Sequence, residues 1–159
     1  MNVRNDMITV FVVRPDVTGT SHEFLQLRRA PGDYMGGTWQ IVRGGIDEGE
    51  NAVSAALREL CEETALTPRE LYRLGCVESF YTAVDDTLWH AVPFCAIVGR
   101  DDAIKLNAEH VDFRWVGRDR IEEETMWSSE WHVLAEVVRD ILGESSAKSF
   151  LRIDRPAII

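Results

Sequence analysis

Three glutamates, Glu59, Glu62 and Glu63, stand at i, i+3 and i+4 within Asn51 to Thr64, a stretch that contains neither glycine nor proline. With about 100° of turn per helical residue, the three fall within an arc of about 100°, while Val53, Leu57, Leu60 and Thr64 gather on a neighbouring side about 60° wide. Like charges at these spacings repel, weakening an isolated helix by roughly a few tenths of a kcal/mol per pair. Helix stability therefore does not explain them. A hard dication would, because Mg²⁺ takes oxygen ligands, keeps several waters and joins a few carboxylates to substrate phosphates. The competing reading is an acidic face held in solvent. Ala52, Ala55 and Ala56 precede the acids on the same side. They either leave room for a loop or ligand to approach or serve simply as strong helix formers.

The residues upstream separate the two readings. Five residues lead from Gly44 to Glu50 and seven more to Arg58, after which Arg-Glu-Leu-Cys-Glu-Glu-Thr-Ala-Leu runs from Arg58 to Leu66. This pattern resembles the Nudix box, Gly-x5-Glu-x7-Arg-Glu-U-x-Glu-Glu-x-Gly-U with U aliphatic. Every position matches except Ala65, which stands where the family has glycine. The box covers 23 of the 159 residues, and the order of strands and helices elsewhere is similar to the family's α/β/α sandwich. Because a left-handed residue often ends a helix at this point, Ala65 implies a strained or altered turn that leaves the acids themselves in place.

The resemblance implies that Glu59, Glu62 and Glu63, helped by the Gly44 carbonyl, hold Mg²⁺, with Mn²⁺ as an alternative ion. Glu50 and Arg58 resemble the family's supporting pair, in which the arginine orients the glutamates; a plain i, i+4 surface pair of Arg58 with Glu62 is the other reading. The general base in the family is either the first glutamate after the arginine, here Glu59, or an acid from a loop outside the box. Glu109 offers the second case. Glu109-His110 ahead of Asp112-Phe113-Arg114-Trp115 is similar to a segment of pterin and deoxyadenosine triphosphate pyrophosphohydrolases of the superfamily; a polar loop before a strand is the alternative. Arg28, Arg29 and Arg43 are the cations nearest the acids in sequence and are candidates to meet substrate phosphates. Trp39, Tyr81 and Trp89 could stack on a base, although strand aromatics usually pack.

Several elements must position these groups. The β-branched run Met7 to Arg14 and the alternating Glu23 to Arg29 read as strands around a turn, and Trp39 to Val42 as a short strand entering Gly44-Gly45. The helix capped by Glu50 or Asn51 follows. Leu71 to Tyr81 and Thr87 to Val98 read as strands turned at Asp85-Asp86, with Asp112 to Val116 a further strand. Apolar residues at Trp131, Leu134, Val137, Val138 and Ile141 give Ser128 to Leu142 a helical period that Gly143 ends. Strands outnumber helices without strict alternation. The expected class is therefore α/β of the α+β kind, a mixed sheet with helices on its faces rather than a doubly wound parallel sheet.

Size and charge bound the rest. A chain of 159 residues fits one domain, 1–159, with a single core. Its 27 acidic and 17 basic residues leave a net charge of −10, which repels polyanions and argues against duplex nucleic acid as a partner. The three cysteines, Cys61, Cys76 and Cys95, form no CxxC pair and suit a reducing compartment, so the cytoplasm is the expected location. Met1 to Asp6 lacks the layout of a signal peptide, and no apolar stretch approaches the ~18 residues of a membrane span. A homodimer is compatible with the sequence.

The resemblance implies hydrolysis of the diphosphate linkage in a nucleoside diphosphate joined to a group X, with a nucleoside or pterin triphosphate favoured by Glu109-His110. Diadenosine polyphosphate hydrolases share the GGIDEGE stretch found here at 44–50 and give an alternative substrate class. A catalytically silent nucleotide-binding relative, or an isomerase on the same fold, completes the alternatives; an isomerase would need extra catalytic residues such as a reactive cysteine, and Cys61, set within the helix between the acids, reads as a packing residue instead.

Overall fold

The computed structural model describes residues 1–154. Eight strands, β1 (Asn2–Pro15), β2 (His22–Arg29), β3 (Trp39–Gln40), β4 (Val42–Gly45), β5 (Glu70–Arg73), β6 (Glu78–Thr82), β7 (Thr87–Ile97) and β8 (His110–Gly117), join in one sheet. The helices are α1 (Ala52–Thr64), α2 (Ile121–Glu124), α3 (Trp131–Glu136) and α4 (Lys148–Leu151).

β1 is the axis of the molecule. Its run Ile8 to Val13 is buried on both faces, as a β-branched and aromatic segment with no charged side chain can be. β7 pairs with it in parallel, whereas β2 and β4 pair antiparallel. β3 and β8 extend the sheet from β2, and β5 and β6 extend it from β7. The side chains of Ile8, Val10 and Val12 pack with Ala55, Ala56 and Leu60 of α1. Phe11 and Val13 point the other way, onto Val133, Leu134 and Val137 of α3 and the turn after it. The result is a helix layer on each face of a mixed sheet, as the sequence leads one to expect.

Several boundaries differ from expectation for physical reasons. β1 begins at Asn2 because Asn2–Arg4 pair with Thr87–Trp89 of β7. The expected single strand Leu71 to Tyr81 is two, β5 and β6. Between them the backbone N–H groups of Gly75 and Cys76 donate to the Glu136 carboxylate instead of a neighbouring strand. The expected helix Ser128 to Leu142 is a 3₁₀ turn at Ser128–Glu130, then α3, then a π-helical turn at Val137–Ile141. Gly143 ends it, where a Cβ would stand 2.6 Å from the Arg139 carbonyl oxygen.

α1 starts with the Asn51 side chain accepting from Ser54 N–H at 2.9 Å, an ordinary N-cap. Its buried residues are Ala55, Ala56, Leu60, Glu63 and Thr64, so the packing face is rotated toward the acids relative to the expected one. The alanines let the helix approach the sheet closely, and that approach carries Glu63 inside. The helix leaves through Ala65, left-handed at φ 60° with its N–H on Cys61 O. That conformation costs a non-glycine residue about 1 kcal/mol or more. Ala65→Gly is expected to stabilise the fold by about 1 kcal/mol in denaturant unfolding, since it removes a Cβ from a left-handed cap; a loss of stability would contradict the strain.

Candidate functional site

Gly44 faces α1, and a Cβ built on it would overlap the Glu59 carboxyl group. Only glycine lets β4 lie this close to the acid helix. Arg58 ties the same two elements together. Its Nε and Nη2 donate to the two oxygens of Glu50 at 3.0 and 2.9 Å, and Nη2 also donates to the Gly45 carbonyl at 2.8 Å. Nη1 donates to Glu59 at 2.7 Å and to Glu62 at 3.4 Å. Asp47 of the preceding loop stands 3.7 Å from the same guanidinium. Glu50 in turn accepts from Asp47 N–H at 3.1 Å, closing the loop onto the helix.

The three acids sit at graded depth: Glu63 is 2% exposed, Glu59 is mostly covered, and the Glu62 side chain lies 55% exposed at the rim. Burial above all, with the charges of Glu59 and Glu109, pushes the Glu63 pKa up to about 9 against the opposing pull of Arg29 and the Arg43 backbone. Burial also raises Glu59, against the pull of Arg58. Glu50 is held below the usual carboxylate range by Arg58, whose own proton is held more firmly in return. Glu63 Oε2 is buried without a hydrogen-bond partner. Such an oxygen is costly unless something positive meets it. Among the described residues, no three His, Cys, Asp or Glu side chains converge closely enough to enclose an ion; Glu59 is turned toward Arg58.

Glu109 joins the cluster from the loop before β8, exposed and near enough to raise the pKa of both Glu59 and Glu63. Its loop is pinned by Ala30 N–H on the Glu109 carbonyl at 2.8 Å and by Asn107 Oδ1, which accepts the Glu109 N–H. Of the three candidate arginines, Arg29 alone faces the acids, bearing on Glu63 and on buried His110. Arg28 alternates with it along β2 and donates to the Gly37 carbonyl at 3.4 Å. Arg43 donates instead to Glu78 and Glu130 on the far face of the sheet. Arg28 and Arg43 thus stand apart from the acids, each engaged by groups other than Glu59, Glu62 and Glu63. The aromatic candidates are largely engaged: Arg114 lies over Trp39, Arg4 over Trp89, and Tyr81 donates to Asp86. Sequence reading missed Gly45, Glu78 and Glu130, whose partners lie 13, 35 and 87 positions away with no local pattern to mark them.

The NUDIX domain family model matches residues 7–137. The chain belongs to the Nudix family. Among relatives, a Mycobacterium tuberculosis protein with the provisional name 8-oxo-dGTP diphosphatase 3 is 33% identical over 111 residues, covering 69% of this chain and 50% of the relative. The asymmetrical bis(5'-nucleosyl)-tetraphosphatase of Rattus norvegicus is 33% identical over 110 residues, covering 66% of this chain and 71% of that protein. The chain thus spans about half the length of the first of these relatives. The fold is shared with a Caenorhabditis elegans Ap4A hydrolase binary complex, at a TM-score of 0.69 and 21% identity over 87% of this chain and 96% of that one. No helix among the described residues is long and apolar enough to cross a membrane.

An acid whose folded pKa lies above its unfolded value favours the folded chain at low pH and loses that advantage as pH rises through the folded value. Glu63, at about 9 folded against 4.5 otherwise, fits this case. Glu130, pushed up to about 7, is half titrated at neutral pH and completes its loss by about pH 8, so Glu63 carries most of the slope there, and unfolded thiols titrate near 8.5. With chelator present, stability should therefore fall by roughly 1 kcal/mol per pH unit between about pH 7 and 8. Glu63→Gln should flatten that slope in unfolding titrations; an unchanged slope would contradict the assignment.

Proposed function

We propose that residues 1–159 form one Nudix hydrolase domain that cleaves the diphosphate linkage of a nucleoside diphosphate joined to X in a Mg²⁺-dependent reaction. The observation that carries this reading is the buried, unpartnered Glu63 oxygen beside Gly44 and Glu59, within a helix whose box spacing the family shares. An all-oxygen donor set of this kind suits a hard dication. Glu59, Glu62, Glu63 and the Gly44 carbonyl would hold Mg²⁺, or Mn²⁺ in its place. Bound there, the ion supplies neutralising charge for the diphosphate oxygens and lowers the pKa of water.

The chain's own residues do the rest. Arg58 holds Glu50 and Glu59 through short bonds and Glu62 through a longer one at 3.4 Å, so the ligating edge of the helix keeps its shape while Glu62 lies exposed at the rim. Arg29 places a positive charge where a substrate phosphate would approach Glu63. Water attack on a phosphorus atom breaks a P–O bond, and the proton released by the water passes to a base. Glu59 and Glu109 are the two carboxylates that serve this position. Glu109 is the more available of them, because Glu59 already accepts from Arg58.

A nucleoside or pterin triphosphate is the favoured substrate class, supported by the Glu109-His110 segment, whose glutamate is near enough to Glu59 and Glu63 to raise both pKa values and whose histidine is buried. Dinucleoside polyphosphates are the second reading, supported by the GGIDEGE stretch and by similarity to the rat tetraphosphatase. Incubation with Mg²⁺ and a panel of nucleoside triphosphates, a pterin triphosphate, dinucleoside polyphosphates and nucleotide sugars should release a product cut at a diphosphate bond. Inactivity across the panel would point to a silent binding module. Glu62→Gln and Glu63→Gln should each lower turnover by roughly two orders of magnitude or more while unfolding curves stay cooperative. Full rate in both variants would remove the metal-site assignment.

A further inference from the structure

Arg43 precedes Gly44 in β4, and the two residues face opposite sides of the sheet. Gly44 is paired with Ile8, which packs under α1, whereas Arg43 is paired with Thr9 and points away. On that far face Arg43 Nη2 donates to Oε1 of Glu78 and to Oε1 of Glu130, both at 3.0 Å. The guanidinium carbon also sits 5.0 Å from the Phe80 ring centroid. Glu78 is fully buried and Glu130 is nearly so. Ser129 donates a second bond to the Glu78 oxygen at 3.0 Å, and the other Glu78 oxygen has no partner. Two buried carboxylates around one arginine leave it no competing position, because withdrawing it would strand both charges.

The clamp matters because of what it holds. β4 has four residues, ends in two glycines and pairs with β1 alone among the described strands. Little backbone ladder fixes it. Yet Gly44 abuts the Glu59 carboxyl group, and the Arg43 backbone acts against the raised pKa of Glu63. Two consecutive residues of a short edge strand thus bear on two of the three acids of α1, one of them in direct contact. The anchors for that strand come from β6 and from the turn at Ser128–Glu130, remote segments that the arginine draws together.

We propose that Arg43 is a positioning residue: its clamp by Glu78 and Glu130 on one face of the sheet fixes Gly44, and thereby sets where Glu59 and Glu63 stand on the other. This rests on the metal-site reading above. The Arg43 guanidinium touches neither the acids nor the space between them, so it acts through the strand, in the way that groups behind a metal ligand set its orientation.

The test is Mn²⁺ binding without substrate, read from the electron paramagnetic resonance signal of free Mn²⁺, for the wild type, Arg43→Met and Arg43→Lys. Arg43→Met should bind Mn²⁺ about tenfold more weakly. In steady-state assays it should lower kcat by about tenfold while KM stays within about twofold. Arg43→Lys, which keeps a positive charge between the two carboxylates, should recover most of the affinity. Equal Mn²⁺ affinity in Arg43→Met and wild type would overturn the proposal, as would a raised KM with unchanged affinity, the mark of a direct substrate contact. Should Arg43→Met fail to fold, Glu78→Gln keeps the shape of the site and is expected to weaken Mn²⁺ binding several-fold; unchanged affinity there overturns the proposal equally. A wild-type chain that binds no Mn²⁺ would remove the metal-site reading and this proposal together, whereas equal binding by a folded variant removes this proposal alone.

Discussion

The burial of the Glu63 carboxyl group is the constraint around which the molecule is arranged. A carboxyl oxygen taken out of water without a partner is destabilising, and here it lies on the seam between α1 and the sheet. An apolar residue at that position would pack better with Ala55, Ala56 and Leu60. The fold instead carries the acid there and raises its pKa to about 9. The close approach of helix and sheet makes this possible, through alanines on the helix and glycine on the strand. The same approach brings Glu59 and Glu109 within electrostatic reach of it, and Glu62 within reach of Glu59.

Charge is balanced around this centre by two arginines with different tasks. Arg58 works locally, bonding Glu50, Glu59 and the Gly45 carbonyl, so the loop, the strand end and the helix move as one body. Arg43 works across the sheet, with its side chain among acids on one face and its backbone beside them on the other. The two sides of β4 are therefore both set by ion pairs that are largely shielded from water, where such pairs are geometrically demanding and costly to break.

The acid helix was legible in the sequence because its signals are local. Helical spacing put Glu59, Glu62 and Glu63 together, and the distances to Gly44, Glu50 and Arg58 identified the box. Arg58 lies on Glu50 and Glu59, and Ala65, where the pattern has glycine, keeps the left-handed conformation. The mixed sheet with helices on both faces was legible for the same reason, from periodicity and the order of elements. What escaped was whatever depends on contacts between remote segments. Strand alternation separates Arg29 from Arg28, but only the pairing of β4 with β1 shows that Arg43 faces away. No spacing in the sequence links it to Glu78 and Glu130. The split of β5 from β6 likewise depends on Glu136, some 60 residues on, taking the backbone donors between them.

The proposed metal site carries a central consequence: burial raises the Glu63 pKa to about 9, so a cation taken up there would displace its proton. Calorimetric titration of Mg²⁺ into the wild-type chain at pH 8, in two buffers of different ionisation enthalpy, measures that proton directly. A carboxyl group with a folded pKa of about 9 is mostly protonated at that pH, and a cation requires it ionised, so roughly one proton should be released per site filled. Binding accompanied by no net proton release would contradict the account.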